Sequence, residues 1–321
     1  MDRILITGGS GFLGASLAGR LLSADGTGPK RIVLTDLLEH PRLAGLGRRV
    51  DFIRADLADG AACRDLIAPD VACVYHFASL VSGGAEKDFE AGLRANVLAT
   101  MNLLEACRMG GRCPRFVFTS SIATFGGSNL PEEVDDLAHQ HPQNSYGVAK
   151  VLGEQLLNDY SRKGFIDGRG VRLPAIVVRD EPNTAASGYA SAILREPLAG
   201  RDYICPVSPD TRIPILSVGR CIAALRQLGE LPPGSLGDWR TINGPSLSPS
   251  AREMADAAAR HGARGPVRFE SDPAIQKMIA SWPRRMRALR AAALGLEADR
   301  SVDELVRDYV ASLGHAKGAM T

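Results

Sequence analysis

A chain of 321 residues has room for one large domain and a smaller companion, and its formal net charge is only +2. No basic cluster has the density that nucleic acid or an anionic membrane surface requires, so the expected partners are small molecules, with no nucleic acid and no membrane. A first strand from residue 3 leaves no room for a charged and apolar leader, and no apolar run approaches spanning length, so a cytoplasmic protein is expected.

The apolar run Arg3-Ile-Leu-Ile-Thr7 leads directly into Gly8-Gly-Ser-Gly11-Phe12-Leu13-Gly14 and then into a periodic apolar segment ending at Leu22. This reads as a strand, a tight turn and a helix. Gly8 permits the turn, Gly11 lets backbone amides approach a pyrophosphate, and Gly14 lets the helix pack closely on the strand. The helix N-terminus turns its partial positive charge toward the phosphates. In a chain with 34 glycines a triplet alone says little, and its place between strand and helix gives it weight. About 20 residues on, Asp36 ends Arg31-Ile-Val-Leu-Thr-Asp36, where a carboxylate accepts both adenosine ribose hydroxyls and repels a 2′-phosphate. NAD is therefore favoured over NADP, although Arg42, Arg48 and Arg49 follow nearby.

Strands and helices then alternate. Residues 50–57 form a third strand with Asp56 and Leu57 at its tip, residues 60–68 a helix, and residues 71–79 a fourth strand ending in the small Ala78 and Ser79. Phe89, Leu93, Val97, Met101 and Leu104 recur at helical spacing, which predicts one helix over 86–109 with Asn96 inside it. Arg115-Phe-Val-Phe-Thr-Ser-Ser121 is the fifth strand and residues 170–179 the sixth. The pattern predicts an α/β protein, a Rossmann-type doubly wound parallel sheet with a smaller C-terminal substrate-binding lobe. The expected domains are 1–179, with 213–228 returning as a strand and a helix, and a lobe of 180–212 and 229–321. Eight prolines between 197 and 249 break the second half into short elements, and Ser301 with Glu304 marks a capped final helix.

The six cysteines show no paired spacing, and several lie in apolar runs, so they read as reduced thiols. His139 and His141 sit in a polar stretch before Pro142, which is the pattern of a solvated loop; no metal site is expected.

Tyr146-Gly-Val-Ala-Lys150 places a phenol and an ammonium four residues apart, on one face of a helix. A free tyrosine titrates near pH 10, and a neighbouring ammonium together with an oxidised nicotinamide favours the phenolate. Tyr146 then serves as a base toward a substrate hydroxyl while hydride leaves the same carbon. Ser121, at the carboxyl end of the fifth strand, is placed to orient the reacting oxygen.

Taken together, the glycine fingerprint, Asp36, Asp56-Leu57, His76-Phe-Ala78, Asn96, Thr119-Ser-Ser121 and Tyr146-x-x-x-Lys150 resemble the extended short-chain dehydrogenase/reductase family, in order and in separation. The resemblance implies that Ser121, Tyr146 and Lys150 are the catalytic group. It implies that Gly8, Gly11, Phe12, Leu13, Gly14, Asp36, Asp56, Leu57, Ala78, Asn96, Tyr146, Lys150, Pro174 and Ile176 contact NAD. In the family, helices near 88–109 and 145–162 form a dimer interface, so a homodimer is implied.

Departures from family patterns narrow the reaction. The sugar dehydratases carry an Asp-Glu pair after the catalytic hydroxyl residue, where this chain has Ile122-Ala123. The sugar-nucleotide epimerases carry an Arg-Asp-aromatic segment where this chain keeps Arg212 alone, and a tyrosine where it has Phe125. Segments at 160–168, 172–183, 193–200 and 205–212 resemble the branch that oxidises the 2-hydroxyl of a four-carbon sugar acid, D-erythronate, to a 2-oxo acid. A sugar acid needs a partner for its carboxylate, and a guanidinium supplies two parallel donors. Arg179 is that candidate, with Ser79, Ser82 and Asn183 as candidate contacts to hydroxyls beside Ser121 and Tyr146. The alternatives are a sugar-nucleotide epimerase that recycles tightly bound NAD, and a dinucleotide-sensing protein without turnover.

Overall fold

The computed structural model describes residues 3–23, 28–179, 181 and 185–318, with side chains to residue 313. The chain groups into two units. The first is Met1–Thr124, Pro142–Arg172 and Ile222–Ile242, and the second is Phe125–His141, Leu173–Cys221 and Asn243–Thr321.

The first unit is built on a seven-stranded sheet. Its strands are β1 (Arg3–Thr7), β2 (Arg31–Asp36), β3 (Val50–Arg54), β4 (Val71–His76), β5 (Arg115–Ser121), β6 (Asp167–Leu173) and β7 (Thr241–Asn243). Their order across the sheet is β7-β6-β5-β4-β1-β2-β3, and β3, β2, β1, β4 and β5 pair in parallel. The winding reverses between β1 and β4. That switch point opens a crevice at the carboxyl ends of the strands, which is where an open α/β sheet takes its ligand.

Strand interiors are continuous apolar runs because both faces are covered. Ile4, Leu5, Ile6, Ile32, Leu34, Val74, Phe116 and Val117 are all fully buried. On one face Leu5, Val33, Val74, Phe116 and Phe118 pack with Leu103, Leu104 and Leu157 from the covering helices. Each such side chain contributes roughly 1.5–3 kcal/mol of burial. The helices are α1 (Phe12–Leu22), α2 (Gly60–Leu66), α3 (Ser82–Lys87), α4 (Phe89–Leu93), α5 (Ala99–Gly110) and α6 (Ser145–Arg162). Carboxylates cap two of them: Asp59 accepts the Ala61 N–H at 2.8 Å and Asp88 the Ala91 N–H at 3.0 Å.

Two expectations from the sequence are corrected. The single helix over 86–109 is broken into α3, α4 and α5, and Arg94–Leu98 form a π-helical turn that contains Asn96. The strand over 170–179 is two strands. Pro174 lacks an N–H for the ladder, so β6 ends at Leu173 and Ala175–Val177 starts a separate parallel pair with Ile215–Ser217. By contacts, residues 222–242 group with the first unit and residues 125–141 with the second. Gly170 donates its N–H to the Arg240 carbonyl at 2.8 Å, which ties that returning segment to β6.

The second unit holds three short parallel pairs: Ala175–Val177 with Ile215–Ser217, Tyr203–Cys205 with Val267–Phe269, and Glu133–Val134 with Arg285–Met286. Side chains tie its loops down. Asp136 accepts the N–H groups of Asn243 at 2.7 Å and Arg290 at 3.3 Å, and Asp299 accepts that of Ser217 at 2.8 Å. Arg212 bonds Glu253, which completes a capping box with Ser250. Among the described residues no helix is long and apolar enough to cross a membrane.

Candidate active site

The site begins at the turn between β1 and α1. Gly8 has a φ of +64°, and a Cβ there would lie 2.7 Å from the Ala78 nitrogen, so the two strand-end loops meet across hydrogen atoms alone. At Gly14 a Cβ would collide with the Gly8 carbonyl and lie 2.8 Å from the Gly9 Cα, so α1 sits directly on the turn. Gly11 stands at the N-cap with no side-chain acceptor, and the first turn of α1 holds no acidic residue. Its backbone N–H groups and the positive end of the helix are left for an anion.

Asp36 closes the far side. Its carboxylate accepts the Ser10 N–H at 3.1 Å and the Leu37 N–H at 2.8 Å. Burial raises its pKa, and those two bonds oppose the rise. A cleft of about 620 Å³ runs beside it, lined by Gly8, Gly11, Asp36, Asp56, Leu57 and Ala78 among others. Among the described residues, the hydroxyls of Ser10 and Thr35 are buried without a hydrogen-bond partner. The uncapped helix start, the glycine cradle and a carboxylate at the strand tip fit the diphosphate and ribose of a dinucleotide. Arg42 donates to His40 Nδ1 at 3.1 Å and Arg49 to the Leu22 carbonyl at 2.9 Å. On the rim, Asp56 caps the turn at Ala58 and pairs with Arg94 at 3.3 Å.

Beyond β4 a buried relay fixes the loop that carries Ala78 and Ser79. The Thr7 hydroxyl bonds His76 Nδ1 at 2.7 Å and accepts the Ala78 N–H at 3.3 Å; His76 Nε2 bonds the Thr100 hydroxyl at 2.9 Å. Thr100 spends its own proton on the Asn96 carbonyl at 2.8 Å, so His76 must donate from Nε2 and accept at Nδ1. Burial and the Lys150 charge push the imidazole down to about 3, which keeps it neutral. Asn96 accepts the Leu80 N–H at 2.8 Å and the Ser79 hydroxyl at 3.0 Å, and donates to the Leu80 carbonyl at 2.9 Å. Its side chain therefore holds the loop in place. Ser82 opens α3 and is buried.

Ser121 ends β5, and its hydroxyl accepts the Ala123 N–H at 3.1 Å. The helix α6 starts against that strand end. Asn144 caps it by accepting the Gly147 N–H at 2.8 Å, and Glu86 accepts the Ser145 N–H at 3.1 Å. A side chain at Gly147 would overlap the Ala123 carbonyl, so only glycine lets the first turn of α6 come this close to the end of β5. Tyr146 is half-buried in that turn, and Lys150 is buried one turn on. The Lys150 ammonium lies 5.4 Å from the Tyr146 ring centre and 5.0 Å from that of Phe118. Desolvation lowers it to about 8, with Glu154 opposing the shift. Glu154, one turn further along the same face, is bonded by Arg172 and by Ser120; the sequence carries no mark of its burial.

The structure thus gathers Gly8, Gly11, Asp36, Asp56, Leu57, Ala78 and Ser79 along one cleft and sets Tyr146 beside Lys150. Phe12 and Leu13 open α1 and are half-buried. Pro174 and Ile176 are buried in the second unit, where Ile176 pairs with Leu216. Arg179, in the same unit, donates from Nε to the Ile176 carbonyl at 3.2 Å, and its own carbonyl accepts from Arg195 at 2.8 Å. Asn183 lies outside the described residues.

Residues 4–219 match the model of the NAD dependent epimerase/dehydratase family. A D-erythronate dehydrogenase of Cupriavidus necator is 44% identical over 98% of this chain and 99% of its own length. A D-erythronate dehydrogenase of Haemophilus influenzae is 38% identical over 96% and 98%. The crystal structure of a nucleoside-diphosphate-sugar epimerase from Agrobacterium tumefaciens superposes with a TM-score of 0.87 at 37% identity, covering 95% of this chain and 92% of that one. On the match over two thirds of its length and on these relatives, the chain belongs to the NAD dependent epimerase/dehydratase family.

Proposed function

We propose that this protein is an NAD-dependent dehydrogenase of a small sugar acid, oxidising the 2-hydroxyl of D-erythronate to 2-dehydro-D-erythronate (2-oxo-tetronate). The observation that carries the reading is Tyr146 with the desolvated Lys150 ammonium beside its ring, at the end of the strand that carries Ser121. The full-length similarity to two D-erythronate dehydrogenases supports the choice of substrate.

Bound NAD supplies the hydride acceptor. The residues that would hold it are the Gly8–Gly14 turn and Asp36, with Asp56, Leu57 and Ala78 lining the cleft; Phe12, Leu13, Asn96, Pro174 and Ile176 are proposed further contacts. Asp36 favours NAD over its 2′-phosphorylated form by charge, and two nearby arginines, Arg42 and Arg49, are bonded to His40 and to the Leu22 carbonyl. Tyr146 takes the proton of the substrate hydroxyl, and the Lys150 charge favours the phenolate that does so. Ser121 donates to the same oxygen and orients it, and Arg179 pairs with the carboxylate. Ser79, Ser82 and Asn183 contact the remaining hydroxyls. We place the reaction in the cytoplasm, where the dinucleotide exchanges freely.

We also infer a homodimer. Phe89 and Leu93 of α4, Met101 of α5, and Val148 and Leu152 of α6 are large apolar side chains left exposed on this unit, and a second copy of the same helices is the occupant proposed for them. Leu152→Glu is expected to convert dimer to monomer in sedimentation; a wild-type monomer would refute it.

The function is tested by absorbance of the reduced nicotinamide with NAD or NADP across four- to six-carbon sugar acids, neutral sugars and sugar nucleotides. Signal with D-erythronate and NAD supports the proposal. Silence on every acid, with interconversion of a sugar nucleotide and no net reduction, would replace it with the epimerase reading.

A further inference from the structure

Glu154 is an acid in a place where acids are rarely found. Its side chain is 0% exposed and that of its partner Arg172 is 1% exposed. Arg172 donates from Nε at 3.1 Å to each carboxylate oxygen and from Nη2 at 2.8 Å to one of them, and the Ser120 hydroxyl donates to the other. Desolvating both charges costs about as much as their attraction returns, so a gain in stability is a poor account of this pair. Its position suggests another. Tyr146, Lys150 and Glu154 follow one another at four-residue steps along a single face of α6. Ser120 precedes Ser121 on β5, and Arg172 stands on the neighbouring β6.

We propose that Glu154 is a positioning residue for the reaction: held by Arg172 and Ser120, its carboxylate keeps Lys150 in the ammonium form and fixes the reactive face of α6 against the strand end that carries Ser121. The Phe118 and Tyr146 rings also lie close to Lys150 and favour positive charge there. Burial works against that charge, and Glu154 is the group that opposes it. Of the other charged and titratable groups on elements packed against α6, His76 of β4 is neutral and responds to the Lys150 charge. Glu86 of α3 is bonded to the Ser145 N–H, Arg94 of the π-helical turn to Asp56, and Glu105 of α5 to Tyr160 and Arg108. Arg172 of β6 is bonded to Glu154, and its charge partly offsets that of the carboxylate.

The inference rests on Tyr146 and Lys150 being the reacting pair, and its first readout does not. The chain has six lysines, so ¹³C-lysine labelling gives a resolvable set of side-chain resonances, with that of Lys150 identified by its loss in Lys150→Met. In the ligand-free protein Lys150 is expected to titrate near 8. In Glu154→Gln the midpoint is expected to fall by about one pH unit, and in Glu154→Asp to return toward the wild-type value. The high-pH decline of the rate moves with it. Should Glu154→Gln leave Arg172 unpaired and the chain unfolded, Glu154→Gln/Arg172→Gln removes both charges and is expected to shift Lys150 in the same direction by less. A folded variant in which Lys150 titrates as in wild type would overturn the proposal. A failed substrate screen with a shifted Lys150 would overturn the substrate alone.

Discussion

The Lys150 ammonium lies 5.4 Å from the centre of the Tyr146 ring, buried, with its charge lowered in stability to a pKa of about 8. A cation this close to a phenol favours the ionised phenolate, and it does so only while it stays protonated. Lys150→Met is therefore expected to cut kcat by about 10²–10⁴ with the fold intact. Lys150→Arg keeps the charge on a planar group that does not fit the same pocket, and is expected to recover only part of the loss. Steady-state kinetics with circular dichroism checks both; near-wild-type turnover in the methionine variant would exclude this role.

Asp36 accepts two backbone N–H groups and still presents its charge to the cleft. Replacing it with asparagine removes the charge-assisted bonds to a ribose and the repulsion of a 2′-phosphate together. The KM for NAD is expected to rise about tenfold, a loss in the range of hydrogen bonds to charged groups. Discrimination against NADP is expected to narrow as well. Parallel kinetics with the two dinucleotides test this, and unchanged discrimination would show that Asp36 does not set the preference.

Two glycines of α1 should respond oppositely to the same substitution. A Cβ at Gly14 presses into backbone atoms of Gly8 and Gly9, whereas a Cβ at Gly19 meets nothing closer than a Leu46 methyl at 3.9 Å. Gly14→Ala is expected to destabilise the protein by about 1–3 kcal/mol. Gly19→Ala, in a helix interior, is expected to stabilise it by about 0.5–1 kcal/mol. Denaturant unfolding of both variants gives the signs directly.

His76 makes stability depend on acid. Its pKa is about 3 in the folded chain, against about 6.5 when unfolded, so as pH falls the unfolded chain takes up the proton first. Stability present above pH 6.5 is thus lost progressively toward pH 3, by about 1.4 kcal/mol per unit from this group. His76→Gln keeps a donor and an acceptor for Thr100 and Thr7 without titrating. Its loss of stability between pH 7 and pH 5 is expected to be about 2 kcal/mol smaller than that of wild type; equal losses would show that His76 is not the group responsible.

The sheet and the helix starts were legible because local chemistry sets them: apolar runs, glycine at Gly8 and Gly14, and the four-residue step from Tyr146 to Lys150. The π-helical turn was not, since one extra residue in a helix leaves the apolar spacing of Leu93, Val97 and Met101 intact over short windows. Pro174 was a visible break that the apolar residues on both sides of it concealed. Thr241–Asn243 is too short a strand to stand out, and its membership of the main sheet follows from tertiary pairing with β6. Glu154 continues the Tyr146–Lys150 step, yet an acid on a helix is normally solvated, and only burial shows otherwise. Arg179 is a candidate by carboxylate chemistry and Asn183 as a partner for hydroxyls, and no local pattern locates a ligand that long-range packing has to assemble.

The proposed reaction is tested most directly by the stoichiometry of NAD reduction during turnover of D-erythronate, measured for wild type and Tyr146→Phe. One reduced nicotinamide is expected per 2-oxo acid formed in wild type, and a rate in the variant lower by about 10²–10⁴ at unchanged stability. Product formed without net NAD reduction, or a phenylalanine variant that turns over like wild type, would contradict it.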